Sequence, residues 1–281
     1  MPRSMAVRRS SRVASAATPI ITLTTDFGTR DTFVGIMKGV ILRAAPDARI
    51  VDLTHDVPPQ NVLAGAYALR SATRWFAPRT IHVAVVDPGV GTRRRALLIE
   101  TADAYFIGPD NGLMSLAAPT RAIRRIFDVS RSRHRLTPVS HTFHGRDVFA
   151  PIAAALAAGL DPATLGRRVP SLVRLRPPGV RRRNGRLVGE VLWVDVFGNL
   201  ATNVTREDLN AAGFRGRRLS TTIGDHVVPI RPLYASVPPG RPVALVNSAD
   251  LLEIAVNRGS AATHFAVGPG TEISVEAKRT I

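Results

Sequence analysis

From residue 19 onward, apolar runs of strand length alternate with amphipathic stretches of helix length. PIITLTTDF, residues 19–27, is a run of apolar and β-branched residues, the pattern of a buried strand, and it ends at Asp26. Residues 31–44, DTFVGIMKGVILRA, place apolar side chains at Phe33, Ile36, Met37, Val40 and Ile41. That i, i+3, i+4, i+7, i+8 spacing predicts a helix. RIVDLTH predicts a strand ending near Asp52–His55, and residues 61–76 a second amphipathic helix. IHVAVVD, RALLIET and AYFIG predict three more strands, followed by a short helix after Pro109 and a longer one over 147–158. Strands alternating with helices predict a three-layer α/β domain on a mostly parallel sheet.

The pattern changes over residues 170–186, PSLVRLRPPGVRRRNGR, where proline, glycine and arginine replace the periodic segments. Beyond it the apolar runs are short and separated by Gly, Pro and Asn turns: RLVGEVLWVDVF, NLATNV, RRLSTTIG, HVVPI, PVALVN, LLEIAV and EISVEA. These predict a second, mainly β domain closed as a small barrel. The expected division is a basic tail over 1–18, an α/β domain over 19–172, a linker over 173–186 and a β-barrel domain over 187–281.

Composition narrows the function. The chain has 281 residues, enough for one large domain or two ordinary ones. No apolar run approaches the ~20 residues of a membrane-spanning helix, so no membrane role is expected and the cytoplasm is the expected location. There is no cysteine, which excludes disulfides, thiolate nucleophiles and Cys-ligated metals. Residues 1–18 are rich in Arg, Ser and Ala but lack the apolar core of a secretory signal. The formal charge of +17 invites an anionic partner such as nucleic acid. Its basic runs, at 93–95, 121–135 and 181–186, match no zinc-finger, helix-turn-helix or RNA-binding signature, so the charge is read as composition.

Three expected strands end in an acid: Asp26, Asp52 and Asp87. Ligands of open α/β sheets bind beyond the carboxyl ends of the strands, so three such acids on one edge mark a candidate site. TTDFG at 24–28 is not a phosphate loop, since neither GxGxxG nor GxxxxGK[ST] is present. In VDPGVGTRRR, Asp87 is followed across a tight turn by Arg93, Arg94 and Arg95. HTFHGRDVFAP, 141–151, puts His141 and His144 at the mouth of a predicted helix, with Asp147 in its first turn. In the second domain, DVFGN at 195–199 joins an acid, an aromatic and an amide across a turn, and NSADLLEIAVNRGSA at 247–261 flanks a strand with polar turns.

Taken in order, TTDFG, VDLTHDV, VDPGVGT, GPDNGL, TFHGRDVFAP, DVFGN and the final NS…LEIAVN block resemble the S-adenosyl-L-methionine (SAM) hydroxide adenosyltransferases, relatives of the fluorinase and chlorinase enzymes. The resemblance runs from about 19 to 278. It implies hydrolysis of SAM at ribose C5′ to adenosine and methionine, without a cofactor or metal. It also implies a homotrimer whose active sites lie between the first domain of one subunit and the second domain of its neighbour. Asp87, Arg94 and His144 then fall on the water-handling triad. Asp26 falls on the acid that chelates the ribose hydroxyls, and Asp31 on a methionine-side position. Asp195 and Ser248 correspond to the holders of the methionine amine and carboxylate. Phe197 and Asn199 correspond to the adenine-facing pair, with backbone near Val256 and Arg258. The halogenating relatives carry aromatic and hydroxyl residues where Asp87 and Arg94 stand, and the fluorinating members have a long insertion where only ADA follows the 95–101 strand. Water rather than halide is therefore the expected acceptor. Ala249 stands where the halogenating branch has a carboxylate-binding arginine, with Arg258 the candidate substitute. The alternatives are halide transfer to the same carbon, a non-catalytic SAM sensor and a nucleic-acid-binding module.

Overall fold

The structure is a computed structural model and describes residues 18–277; the expected basic tail over 1–18 lies outside these apart from Thr18. The chain divides into two compact units between Arg174 and Leu175. The first unit contains β1 (Ile20–Thr25), α1 (Phe33–Ala44), β2 (Arg49–Thr54), α2 (Val62–Thr73), β3 (Thr80–Val85), β4 (Ala96–Thr101), β5 (Ala104–Pro109), β6 (Ile123–Asp128), α3 (Ala150–Ala157), α4 (Pro162–Leu165) and the short β7 (Arg167–Arg168).

The sheet order is β2-β1-β3-β5-β4-β6-β7. β1 pairs parallel with β2 and with β3 across the helical connections, and β3 pairs parallel with β5. Only Ala102 and Asp103 separate β4 from β5, too few residues for a crossover, so that pair is an antiparallel hairpin. β6 and β7 continue the antiparallel half, so the sheet is mixed.

Alternation along the strands sorts the two faces. Ile21, Leu23, Ile81, Val83 and Val85 join a core with Met37 and Ile41 of α1 and Ile152 and Ala153 of α3. α2 lies against β1, β2 and β3, where Gly65 gives room for Val86 and Leu113. Asn61 caps α2 by accepting the Ala64 N–H at 3.0 Å. The apolar set expected on α1 does not all enter the core: Met37 and Ile41 do, whereas Phe33 and Ile36 are 42% and 39% exposed. The short helix expected after Pro109 is absent. Residues 113–117 form turns, tied by Ser115 N–H to Gly112 O and Ala118 N–H to Met114 O, and Pro119 stops any continuation.

His82, in the middle of β3, is fully buried. Its Nδ1 lies 2.7 Å from Thr22 Oγ1, its Nε2 has no hydrogen-bond partner among the described residues, and its ring stacks on Phe106. Burial pushes its pKa down to about 4. The unfolded chain protonates this residue near the ordinary value of about 6.5, so below that pH the unfolded state binds more protons. Its contribution to stability is therefore complete above about 6.5 and is lost as pH falls toward about 4. Urea unfolding across this window is expected to show a steeper acid loss in the native sequence than in His82→Phe.

The second unit contains β8 (Arg181–Arg183), β9 (Arg186–Val194), β10 (Leu200–Thr205), α5 (Arg206–Ala211), β11 (Leu219–Ile223), β12 (His226–Pro229), β13 (Pro242–Val246), β14 (Leu251–Val256), α6 (Ala261–Phe265) and β15 (Glu272–Ala277). Its strands run antiparallel in the order β12-β11-β15-β9-β10-β14-β13, with β8 beside β9. A bridge from Ile230, just past β12, to Ala244 of β13 brings the two edges together, so the sheet is a nearly closed barrel. Val191, Leu200, Val204, Ile254, Ile273 and Val275 fill its interior.

Candidate active site

The parallel pairing of β1 and β3 sets the site. Thr25 is in register with Val85, so the chain leaves both strands on the same edge and delivers Asp26 and Asp87 side by side. Asp26 Oδ2 accepts the backbone N–H of Gln60 at 2.8 Å. Both acids line a cavity of about 390 Å³, with Phe27, Phe33, Phe143 and His144. The third strand-end acid does not join them. Asp52 Oδ2 accepts from Lys38 Nζ at 2.6 Å, and its Oδ1 lies 3.1 Å from His55 Nε2. Burial raises its pKa, but these two partners outweigh that and hold it below the ordinary carboxylate value.

After Asp87 the chain turns tightly. Val90 N–H reaches Asp87 O at 3.2 Å, Thr92 Oγ1 donates to Gly89 O at 2.7 Å, and Gly91 takes φ +78°. The turn returns Arg94 onto Asp87. Arg94 Nε donates to both carboxylate oxygens at 3.0 Å, and Nη2 donates to Oδ2. Both side chains are nearly buried, 11% and 5% exposed. The guanidinium lies over the Phe149 ring at 5.4 Å. Its Nη2 is also 2.8 Å from His144 Nδ1.

That last contact fixes a tautomer. A guanidinium has no acceptor, so His144 Nδ1 must be the unprotonated nitrogen and Nε2 carries the hydrogen. Burial lowers the His144 pKa and the Arg94 charge lowers it further, against the opposing pull of Asp87 and Asp147. His144 is thus held neutral. Asp87, Arg94 and His144 form one hydrogen-bonded chain, with Asp87 and His144 at its two ends on the cavity wall.

His144 is positioned from behind. It opens a π-helical turn over Gly145–Phe149 that runs into α3. Asp147, 1% exposed, accepts both arms of Arg146 at 2.6 and 2.9 Å and the Ser140 N–H at 2.8 Å. These bonds pin the 140–147 loop. His141 lies away from this cavity and lines a different one.

Asp31 is exposed and is not brought to the cavity. Sequence reasoning passed over the aromatic wall. Phe27, Phe33 and Phe143 contact one another at centroid distances of 5.1 to 6.0 Å, and the exposure of Phe33 is explained by the cavity it lines. The phenylalanines of TTDFG and TFHG were the available signal.

The second unit presents its candidates on turns. Asp195 closes the DVFGN turn: Oδ1 accepts the N–H of Phe197 at 2.9 Å and of Asn199 at 2.8 Å, and Oδ2 accepts Asn199 Nδ2 at 3.0 Å. Gly198, at φ +80°, packs so close to Ser260 that a Cβ would lie 2.1 Å from its hydroxyl. The result is a fixed turn with Asn199 buried and Val196 and Phe197 92% and 74% exposed. Ser248 sits exposed on the Asn247–Asp250 turn, which Asn247 Oδ1 holds by accepting from Ala249 and Leu251. Val256 is buried at the end of β14, and the exposed Arg258 follows at φ +58°. A further group went unnoticed in the sequence: buried Glu253 accepts from Tyr234 Oη at 2.7 Å and Asn247 Nδ2 at 3.0 Å, bracing the same turn.

The sequence matches the SAM hydroxide adenosyltransferase N-terminal domain over residues 21–166 and the corresponding C-terminal domain over 189–274. It is 41% identical to a protein of Salinispora arenicola named (R)-S-adenosyl-L-methionine hydrolase, covering 93% of this chain and 99% of that one. It is 28% identical to a fluorinase of Actinopolyspora mzabensis, over 93% and 98% of the two chains. A solved structure of an uncharacterized conserved protein from Thermotoga maritima superposes with a TM-score of 0.83 at 35% identity, covering 92% of this chain and 99% of that one. With both domains matched in order, the chain belongs to the SAM hydroxide adenosyltransferase family.

Proposed function

We propose that the protein hydrolyses SAM at ribose C5′, releasing adenosine and L-methionine. The observation that carries this is the Asp87–Arg94–His144 chain on the wall of a cavity that also holds Asp26. A water oxygen forms the new bond to C5′ as the C5′–S bond breaks. The bonding pair goes to sulfur, so the cationic sulfonium leaves as a neutral thioether and needs no acid. The difficulty is the nucleophile, since bulk water ionises only with a pKa of about 15.7. Asp87 accepts a hydrogen bond from the water and takes its proton as the C–O bond forms. Arg94 holds the carboxylate in place and offsets the charge at the forming hydroxide. His144 contributes as a neutral Nε2–H donor to the same oxygen. Asp26 accepts from the ribose hydroxyls. A halide in place of water would face the Asp87 carboxylate, which disfavours halogenation.

The substrate's remaining contacts fall to Asp195, Phe197, Asn199, Ser248, Val256 and Arg258, supplied by the barrel unit of a neighbouring copy in a homotrimer working in the cytoplasm. Support for this comes from Val196 and Phe197, apolar side chains held exposed on a rigid turn, as surfaces that receive a ligand or partner are. Mixing Asp87→Ala with Asp195→Ala chains tests it: a shared site regains turnover on mixing, a site within one chain does not.

The test of the reaction is SAM incubated in oxygen-18 water, with and without chloride. Labelled adenosine, independent of chloride, is the expected product. Tight binding without adenosine would replace the enzyme by a sensor. The state of His144 sets a pH dependence. Protonation removes the acceptor that Arg94 uses, so kcat/KM is expected to be flat above neutrality and to fall at acid pH, with its midpoint below the ordinary histidine value.

A further inference from the structure

The first unit holds a second, larger cavity of about 1450 Å³; His144 lines both cavities, and Arg94 lines the larger one. Its arginines come from three separated stretches. Arg93, Arg94 and Arg95 enter from the turn after Asp87, Arg131, Arg133 and Arg135 from the loop after β6, and Arg167 from β7. Two arginines are committed elsewhere: Arg94 to Asp87, and Arg95 to Asp110 and Ser171 O. Arg93, Arg131, Arg133, Arg135 and Arg167 form no ion pair with any described carboxylate. Among the described residues, Asp128 is the one acid in the lining.

The walls are fixed. Ser130 Oγ accepts the Ala96 N–H at 2.8 Å, and Arg135 Nη1 donates to Ser130 O at 2.8 Å. Gly166 lies so close to Asp128 that a Cβ would sit 2.4 Å from its carbonyl oxygen. Gly91 is held as closely against His141 O. Like charges drawn together on a rigid concave surface repel one another unless an anion neutralises them. Guanidinium groups in such numbers suit phosphate oxygens, which they bind in pairs of parallel hydrogen bonds.

We propose that this arginine cleft is a binding site for a chain of linked phosphates, free or carried on a small molecule, seated behind the Arg94–His144 wall. A single phosphate would leave most of the arginines unmatched. Single-stranded nucleic acid is the less fitting anion, because such sites stack bases on aromatic rings, and among the described residues no Phe, Tyr or Trp lines this cleft.

Binding of inorganic tripolyphosphate, ATP and orthophosphate to the full-length protein, measured by calorimetry without SAM, tests the site independently of the proposed hydrolysis. Tripolyphosphate and ATP are expected to compete for one site per chain, each at least tenfold tighter than orthophosphate, with affinity falling as salt rises. ATP binding more tightly than tripolyphosphate would assign a carried phosphate chain, and equal affinity a free one. The exposed triple variant R131S/R133S/R167S is expected to lose at least tenfold in affinity, while R182S, on the second unit, is not. Unchanged tripolyphosphate binding in the triple variant would overturn the proposal. So would an unstructured oligonucleotide that binds tenfold more tightly than tripolyphosphate and is displaced from the same arginines.

Discussion

Asp87→Ala is expected to lower kcat by about 1,000-fold, the middle of the range for a positioned acid–base group, with KM little changed. The substitution removes the acceptor that takes the water proton, and none of the contacts proposed for the nucleoside. It also strands Arg94, whose side chain is 11% exposed and makes its ion pair with this carboxylate. Breaking a buried pair from one side costs about 3–5 kcal/mol, so the alanine variant will also unfold earlier. Asp87→Asn separates the two effects. It keeps an oxygen for Arg94 and the volume of the side chain, so it should recover much of the stability and little of the turnover. Asp26→Ala makes the contrast, raising KM while kcat is largely kept. An Asp87→Ala protein that hydrolysed SAM at the native rate would remove Asp87 from the mechanism.

Gly91→Ala is expected to destabilise the first unit by about 2–5 kcal/mol, adding the penalty for a side chain at positive φ to that of overpacking. Gly91 sits at φ +78°, and an added Cβ would lie 2.3 Å from the carbonyl oxygen of His141. Backbone on both sides must then separate. The segments forced apart are the turn that carries Arg94 and the loop that carries His144, so their 2.8 Å contact is lost as well. The melting temperature should fall by about 10 °C. Activity should drop even well below the melting transition. Thr92→Ala, which removes two turn hydrogen bonds, to Gly89 O and from the Arg94 N–H, without adding volume, serves as the control. A Gly91→Ala protein with native melting and native turnover would show that this close approach does not hold the site.

Much of the architecture could be read from the chain because its signals are local. Strand-length apolar runs and helix-length amphipathic runs carry their own period, and that period placed β1, β3, α1 and α2. The tight turn after Asp87 is written in Pro88, Gly89 and Gly91. What periodicity cannot carry is pairing. The antiparallel half of the first sheet depends on the hairpin between β4 and β5 and on where β6 returns, which are contacts between distant residues. The core face of α1 was blurred for the same reason. Phe33 is as apolar as Met37, and only its neighbours Phe27 and Phe143 place it on the cavity wall.

The candidate site divides along the same line. The sequence by itself determined which residue types were available: carboxylates at strand ends, an arginine across a turn from one of them, a histidine at a helix mouth and no thiol. Tertiary structure decided which of them meet. It set Asp26 beside Asp87 through the β1–β3 register, and gave Asp52 to Lys38 and His55 instead. It left Asp31 in solvent. It made His144 a neutral acceptor of an Arg94 hydrogen bond, a state that composition cannot express. It also gathered arginines from 93–95, 131–135 and 167 into one cleft, where the sequence showed separate basic runs. The physical reason is common to all of these. Side-chain chemistry is a property of one residue, but a charge partner, a tautomer or a cavity wall is a property of residues that the fold alone brings within a few ångströms.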